Sequence, residues 1–176
     1  MADQIMSTYS PESVIVVISN DNFSHVINGF AETSFINITR TVPHATLYTG
    51  ADGSSARTKR RVRNAEITLT LGQYSESNDV LSRLLELDED TDRGEHMFAI
   101  TIKDTSGRTV VTSQSAFIGT SPDIGFADTM GERDWTIHAA GASWNTGGNG
   151  KFTLATYETL GDLGVTPDPY WNPNNL

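Results

Sequence analysis

The residues of this chain that could do chemistry are numerous, but their spacing supports little of it. Asp88, Asp90 and Asp92 stand at the i, i+2, i+4 positions of a calcium loop. Arg93 then occupies the place of the required glycine and Ala99 that of the bidentate glutamate, so the motif is incomplete. His25, His44, His96 and His138 are scattered without the HxxxH or HxH spacing that brings two imidazoles to one metal. No serine lies in a GxSxG elbow, and Gly147-Gly148-Asn149-Gly150-Lys151 lacks the spacing of a phosphate loop. With no cysteine there is neither a thiol nucleophile nor a disulfide. Carboxylates abound, yet none of their spacings selects an acid–base pair. The expectation is a protein with no catalytic residues, no metal and no cofactor.

Two other residue sets ask for an explanation. Asp88, Glu89, Asp90 and Asp92 crowd the C-terminal end of a predicted helix, where the dipole favours cations. Arg57, Lys59, Arg60, Arg61 and Arg63 place five of the twelve basic residues within seven positions. A run of charge is commonly just a solvated face; two runs of opposite sign in one chain also fit a contact between copies. Trp135, Trp144 and Trp171 offer a third possibility, a sugar-binding platform, although aromatics in strands more often serve a core or an interface.

The elements that must position these residues are mostly strands. Val14 to Ile18 is a run of β-branched residues suited to a buried strand, and Phe23 to Phe30 and Glu32 to Thr41 read as two more. Asn64 to Gln73 alternates cleanly, with Ile67, Leu69 and Leu71 on one face and Glu66, Thr68 and Thr70 on the other. Met97 to Asp104 and Arg108 to Ile118 flank the turn sequence Asp104-Thr105-Ser106-Gly107 and predict a hairpin. Asp134 to Ala139 is a further strand, and Lys151 to Tyr157 is expected to add one more. One helix is predicted over 77–88: Val80, Leu81, Leu84, Leu85 and Leu87 form its stripe, with Ser77 as N-cap. Residues 41–63 read as a long excursion in which Asp52-Gly53 turns an extended hairpin arm.

These counts predict a mainly β fold, an antiparallel β-sandwich or barrel of roughly seven strands with one flanking α-helix. At 176 residues one domain is expected. It would run over 12–157, between a flexible lead-in at 1–11 and an extended tail at 158–176. The net charge of −10 argues against a protein that grips nucleic acid by neutralising phosphates. Met1 to Ser19 has neither a basic n-region nor an apolar run long enough for a signal or a membrane span, so synthesis in the cytoplasm and no membrane contact are expected.

Several short blocks, taken in order, carry a resemblance. They are Tyr9-Ser10-Pro11-Glu12-Ser13-Val14, Ala51-Asp52-Gly53 with Ala56-Arg57, Ile67 to Gln73, Ser75-Glu76-Ser77-Asn78-Asp79-Val80-Leu81, Pro122-Asp123, and Arg133-Asp134-Trp135-Thr136-Ile137. From about Tyr9 to Asn149 the chain resembles the tail tube proteins of contractile-tailed bacteriophages. The resemblance implies a virion protein made in the host bacterial cytoplasm. It also implies self-assembly into hexameric rings stacked as the inner tail tube, with neighbouring strands completing a barrel around the lumen. The implied partners are further copies of itself, the tail sheath protein, and the baseplate, tail terminator and tape-measure proteins; DNA is bound only in transit. It further implies that the 41–63 arm reaches the adjacent ring. Arg57, Lys59, Arg60, Arg61 and Arg63 are then expected to meet Asp88, Glu89, Asp90 and Asp92 across rings, with Glu66, Thr68 and Thr70 facing the lumen. A non-catalytic carbohydrate-binding β-sandwich is the alternative.

Overall fold

The computed structural model describes residues 7–32 and 35–172. Ten strands and two α-helices follow one another: β1 (Val14–Ser19), β2 (Ser24–Ile27), β3 (Ile36–Arg40), β4 (Ala45–Thr49), β5 (Ser55–Lys59), β6 (Ala65–Gly72), α1 (Ser77–Glu89), β7 (Phe98–Asp104), β8 (Val110–Thr120), β9 (Glu132–Ala140), β10 (Ser143–Asn145) and α2 (Leu154–Asp162). Eight strands form one antiparallel sheet in the order β2-β1-β7-β8-β9-β6-β3, with β10 added beside β8; β4 and β5 form a separate two-stranded ribbon.

The sheet curls until its ends meet. β6 gives one edge to β9 and shares the other between β3 and the chain that follows β2. There the Gly72 amide donates to the Gly29 carbonyl, the Ala31 amide to the Thr70 carbonyl, and Phe30 bridges Leu71. Gly29 allows the turn into this contact. Its φ of +68° suits glycine, and a Cβ there would come within 2.6 Å of the Ser75 Cβ. The seam is thus sealed at one end, called upper here, where β6 and β8 finish and β7 and β9 begin. Along the lower end β3 faces β1 and β7 without pairing to them.

Inside the curl lie Val16, Ile18, Ile67, Leu69, Leu71, Ile100, Ile102, Trp135 and Ile137. The alternation of β6 behaves as its sequence predicts: Ile67, Leu69 and Leu71 are fully buried. α1 carries the chain from the top of β6 to the top of β7 and closes that end with Leu81 and Leu84, with Val80 and Leu85 packed at the side. Asp79, Ser82, Arg83 and Glu86 face solvent as expected.

Four expectations need correction. Lys151 to Tyr157 is not a strand, because α2 begins at Leu154, where the Thr153 hydroxyl accepts the Thr156 amide as an N-cap. The tail from 158 is therefore partly helical as far as Asp162, with a 3-10 turn at Pro169–Trp171, and the fold has two α-helices rather than one. Ser77 does not cap α1, because its hydroxyl is turned inward, accepting the Asn28 amide at 3.0 Å and lying 2.9 Å from His25 Nε2. The strand count rises from about seven to ten because the arm is itself paired and β10 adds a short piece. The expected lead-in and tail fall partly on residues 1–6 and 173–176, outside the described residues.

Candidate assembly surfaces

Arg57 and Lys59 lie on β5, and Arg60, Arg61 and Arg63 on the return to β6. β4 and β5 pair with each other from Ala45↔Lys59 to Thr49↔Ser55 and with no other described strand. Every residue of β5 is exposed, as are Leu47 and Tyr48 on β4. The turn is built as Asp52-Gly53 requires. Gly53 has φ +81°, the Gly50 amide donates to the Ser54 carbonyl, and the Asp52 carboxylate accepts both the Ser54 amide (3.0 Å) and hydroxyl (2.6 Å). Those hydrogen bonds, the hydroxyl first, hold the Asp52 carboxyl below its usual range.

The arm leaves the lower end, where β3 finishes and β6 begins. Asp88, Glu89, Asp90 and Asp92 sit at the upper end, where α1 stops and the chain turns toward β7. The two sets are therefore not brought together within one subunit; they mark opposite ends of it. The rest of the charge follows the same division. Segments 20–23, 73–97 and 121–132 at the upper end hold twelve of the twenty-two acids and two of the twelve basic residues. Segments 40–64 and 103–109 at the lower end hold eight basic residues and two acids. This polarity was not legible from the charge runs alone, since it needs the strand directions.

Glu66, Thr68 and Thr70 project from the face of β6 opposite the core. Glu66 is exposed and Thr68 half-buried, but Thr70 is almost covered, its hydroxyl donating to Asp134 Oδ1 at 2.7 Å. Thr39, Glu66, His138 and Phe117 form one row across this face on β3, β6, β9 and β8. His138 Nδ1 lies 4.0 Å from Glu66 Oε2, and its ring is 5.6 Å from that of Phe117.

The three tryptophans do not form a row. Trp135 is in the core, its indole N–H donating to Asn78 Oδ1 at 2.9 Å. Trp144 lies under the Arg40 guanidinium (4.6 Å), which reaches over the lower mouth of the barrel from β3 to β10. Trp171 and Phe152 clasp the Arg108 guanidinium at 4.4 and 4.1 Å, and Arg108 Nη1 donates to the Gly150 carbonyl. That clasp holds the C-terminal segment against the β7–β8 hairpin, and the burial it brings lowers the Arg108 pKa. Nothing in the sequence patterns pointed to it. Among the described residues no three His, Asp or Glu side chains gather in a way that could hold a metal ion.

Over residues 6–163 the sequence matches the family described as Bacteriophage PhiTE tail tube protein. The chain belongs to this bacteriophage tail tube family. It is also 40% identical over 167 residues to Structural protein ORF10 of Pseudomonas phage KPP10, covering 94% of this chain and 96% of that one. Solved structures share its fold at low sequence identity. The tube-terminating cap of the anti-feeding prophage aligns with a TM-score of 0.53 at 15% identity, over 83% of this chain and 99% of that one. The sheath/tube terminator of the PVC extracellular contractile injection system, in its extended state, gives 0.52 at 15%, over 81% and 99%. A chain of the PVC sheath-tube complex gives 0.50 at 14%, over 79% and 92%. This tail tube protein is a structural component of the virion and not an enzyme. The family match ends one residue beyond α2, so of the two rings that clasp Arg108, Phe152 lies within it and Trp171 outside.

Proposed function

We propose that the subunit builds hexameric rings that stack head to tail into the inner tube of a contractile tail, through which DNA leaves the particle. The observation that carries this reading is the opposite charge of the two barrel ends. A surface that is acid-rich above and base-rich below cannot pair with itself face to face without repulsion. It fits the opposite end of another copy, which is the heterologous contact that propagates a filament. The arm, 41–63, is the lower end's projecting element. Arg57, Lys59, Arg60, Arg61 and Arg63 meet Asp88, Glu89, Asp90 and Asp92 of the next ring. One exposed pair contributes about 0–1 kcal/mol, but a ring repeats the contact at every subunit.

Glu66, Thr68 and Thr70 face the channel in this reading, with Thr70 contributing least because it is already covered. A net-negative wall repels phosphate and lets the genome pass without being held. A sheath protein surrounds the tube, and baseplate, terminator and tape-measure proteins set its ends and length. The subunit is made in the host cytoplasm before assembly.

The experiment is electron microscopy of purified protein, wild type beside the triple variant Arg57→Glu, Arg60→Glu, Arg61→Glu. Wild-type rings and hollow tubes are expected, with the variant giving much shorter tubes at low salt. Unchanged tube length and salt sensitivity would remove the arm from ring stacking, and a monomer under all conditions would remove the tube itself.

A further inference from the structure

A second pair of features divides between the two ends, and it is apolar. At the upper end the irregular loop 121–131 between β8 and β9 exposes Ile124, Phe126 and Met130 at 74, 83 and 69%. Its base is pinned to β6, with the Gln73 amide donating to the Gly131 carbonyl and the Gly131 amide to Gln73 Oε1. The large side chains are thus held outward, and among the described residues nothing covers them. Three exposed large apolar residues within seven positions are more than a soluble surface carries by chance.

At the lower end, the unsealed half of the seam forms a cleft of about 350 Å³ lined mainly by Tyr9, Val14, Phe35, Ile36, Ile38 and Ile102, together with Asp104 and Thr109. It exists because, among the described residues, β3 and the β1–β7 pair face each other without hydrogen bonds, leaving Val14, Phe35, Ile36 and Ile38 half-buried and a strand edge unpaired. The Asp104 and Thr109 rim of the cleft lies just before β8 begins, whereas the loop follows the end of that strand. Loop and that rim thus belong to opposite ends of the β7–β8 hairpin.

We propose that loop 121–131 of one subunit seats Phe126 in the open lower seam of the next copy, so that an apolar plug accompanies the charge contact between rings. This rests on the stacked-tube reading and names a contact within it. The occupant is a second copy because the charges agree. The loop carries Asp123 and Asp128, with Glu132 and Arg133 offsetting each other at its foot, whereas the seam has one acid, Asp104, and is flanked by Arg40, Lys103 and the basic run that ends at Arg63. Burying the plug also explains why an apolar loop is kept on the acidic end.

The test uses wild-type tubes first. Hydroxyl-radical footprinting read by mass spectrometry should show Phe126 and Met130, and Tyr9 and Phe35, oxidised several-fold more slowly in tubes than in dissociated subunits. Equal oxidation in both states overturns the proposal while leaving the tube intact.

Because the chain has no cysteine, cross-linking is free of background. The double variant Phe126→Cys, Ile38→Cys, oxidised as tubes, should give a ladder of covalent multimers beyond the dimer. The pair Phe126→Cys, Leu163→Cys should give none. Tubes without a ladder overturn the contact. If the double variant does not assemble, the wild-type footprint decides alone. Wild-type protein that never forms rings or tubes sinks the stacked-tube reading first, and this contact with it.

Discussion

β6 and β5 are consecutive extended segments separated by five residues, and they could hardly be more differently placed. β6 is paired along both edges and buries Ala65, Ile67, Leu69, Thr70, Leu71 and Gly72. β5 pairs only with β4 and buries nothing. Hydrophobic burial stabilises the first by about 25 cal/mol per Å² of apolar area removed from water. An isolated two-stranded ribbon is marginal in water, so β4–β5 holds its shape by turn chemistry and ladder bonds alone. The comparison separates two demands on one chain. The barrel residues answer to the fold of the single subunit, whereas the arm's exposed Leu47, Tyr48 and arginines contribute nothing to that fold and are available to another molecule.

The sharpest way to break this contrast is to damage the barrel beside β6. Trp135, opposite Leu69 in the β6–β9 register, is the largest fully buried side chain and also holds Asn78 at the start of α1. Trp135→Ala should cost about 3–5 kcal/mol, read as a lower midpoint in chemical denaturation. The same measurement on Tyr48→Ala, in the arm, should stay within about 0.5 kcal/mol of wild type. A Tyr48 cost comparable with that of Trp135 would mean that the arm is part of the core after all.

A smaller effect is expected where β2 is tied to α1. The Ser77 hydroxyl is buried and serves His25 and the Asn28 amide at once. Ser77→Ala removes that partner from a half-buried His25 and an exposed Asn28, and should cost about 0.5–1.5 kcal/mol. A cost near zero would return Ser77 to the role of a simple first-turn residue.

How much of this was readable from the sequence follows the same division. β6, β9 and α1 were legible because burial on one face imposes a period, two in the strands and 3.6 in the helix, and Ile67, Leu69, Leu71, Leu81 and Leu84 obey it. α2 was not, since none of its residues is buried and no apolar stripe was selected; only the Thr153 cap marked its start. Ser77 looked like a cap because serine before a helix usually is one, and the competing partner, Asn28, stands 49 positions earlier in the chain. The charged arm and the acidic helix end were visible as runs. That they stand at opposite ends depends on strand order and direction, which no local pattern encodes.

The smallest effect should appear at the arm's own turn, as a function of pH. Asp52 is held below its usual value of 3.8 by the Ser54 hydroxyl and amide, so its ionised form favours the folded turn. A carboxyl depressed in the folded state contributes above the unfolded pKa and loses that contribution as pH falls through the folded one. The turn should thus be unchanged from neutral pH down to about 4, then loosen as Asp52 takes up its proton. In amide-resolved NMR the Ser54 signal should titrate with a midpoint below 3.8, while the amides of Ile67 and Leu69 keep their protection from exchange. A Ser54 midpoint at or above the ordinary aspartate value would show that the turn does not depend on this carboxylate. Loss of protection in β6 at the same pH would show that arm and barrel unfold as one unit, and the contrast between β5 and β6 would fail at the point where it is easiest to measure.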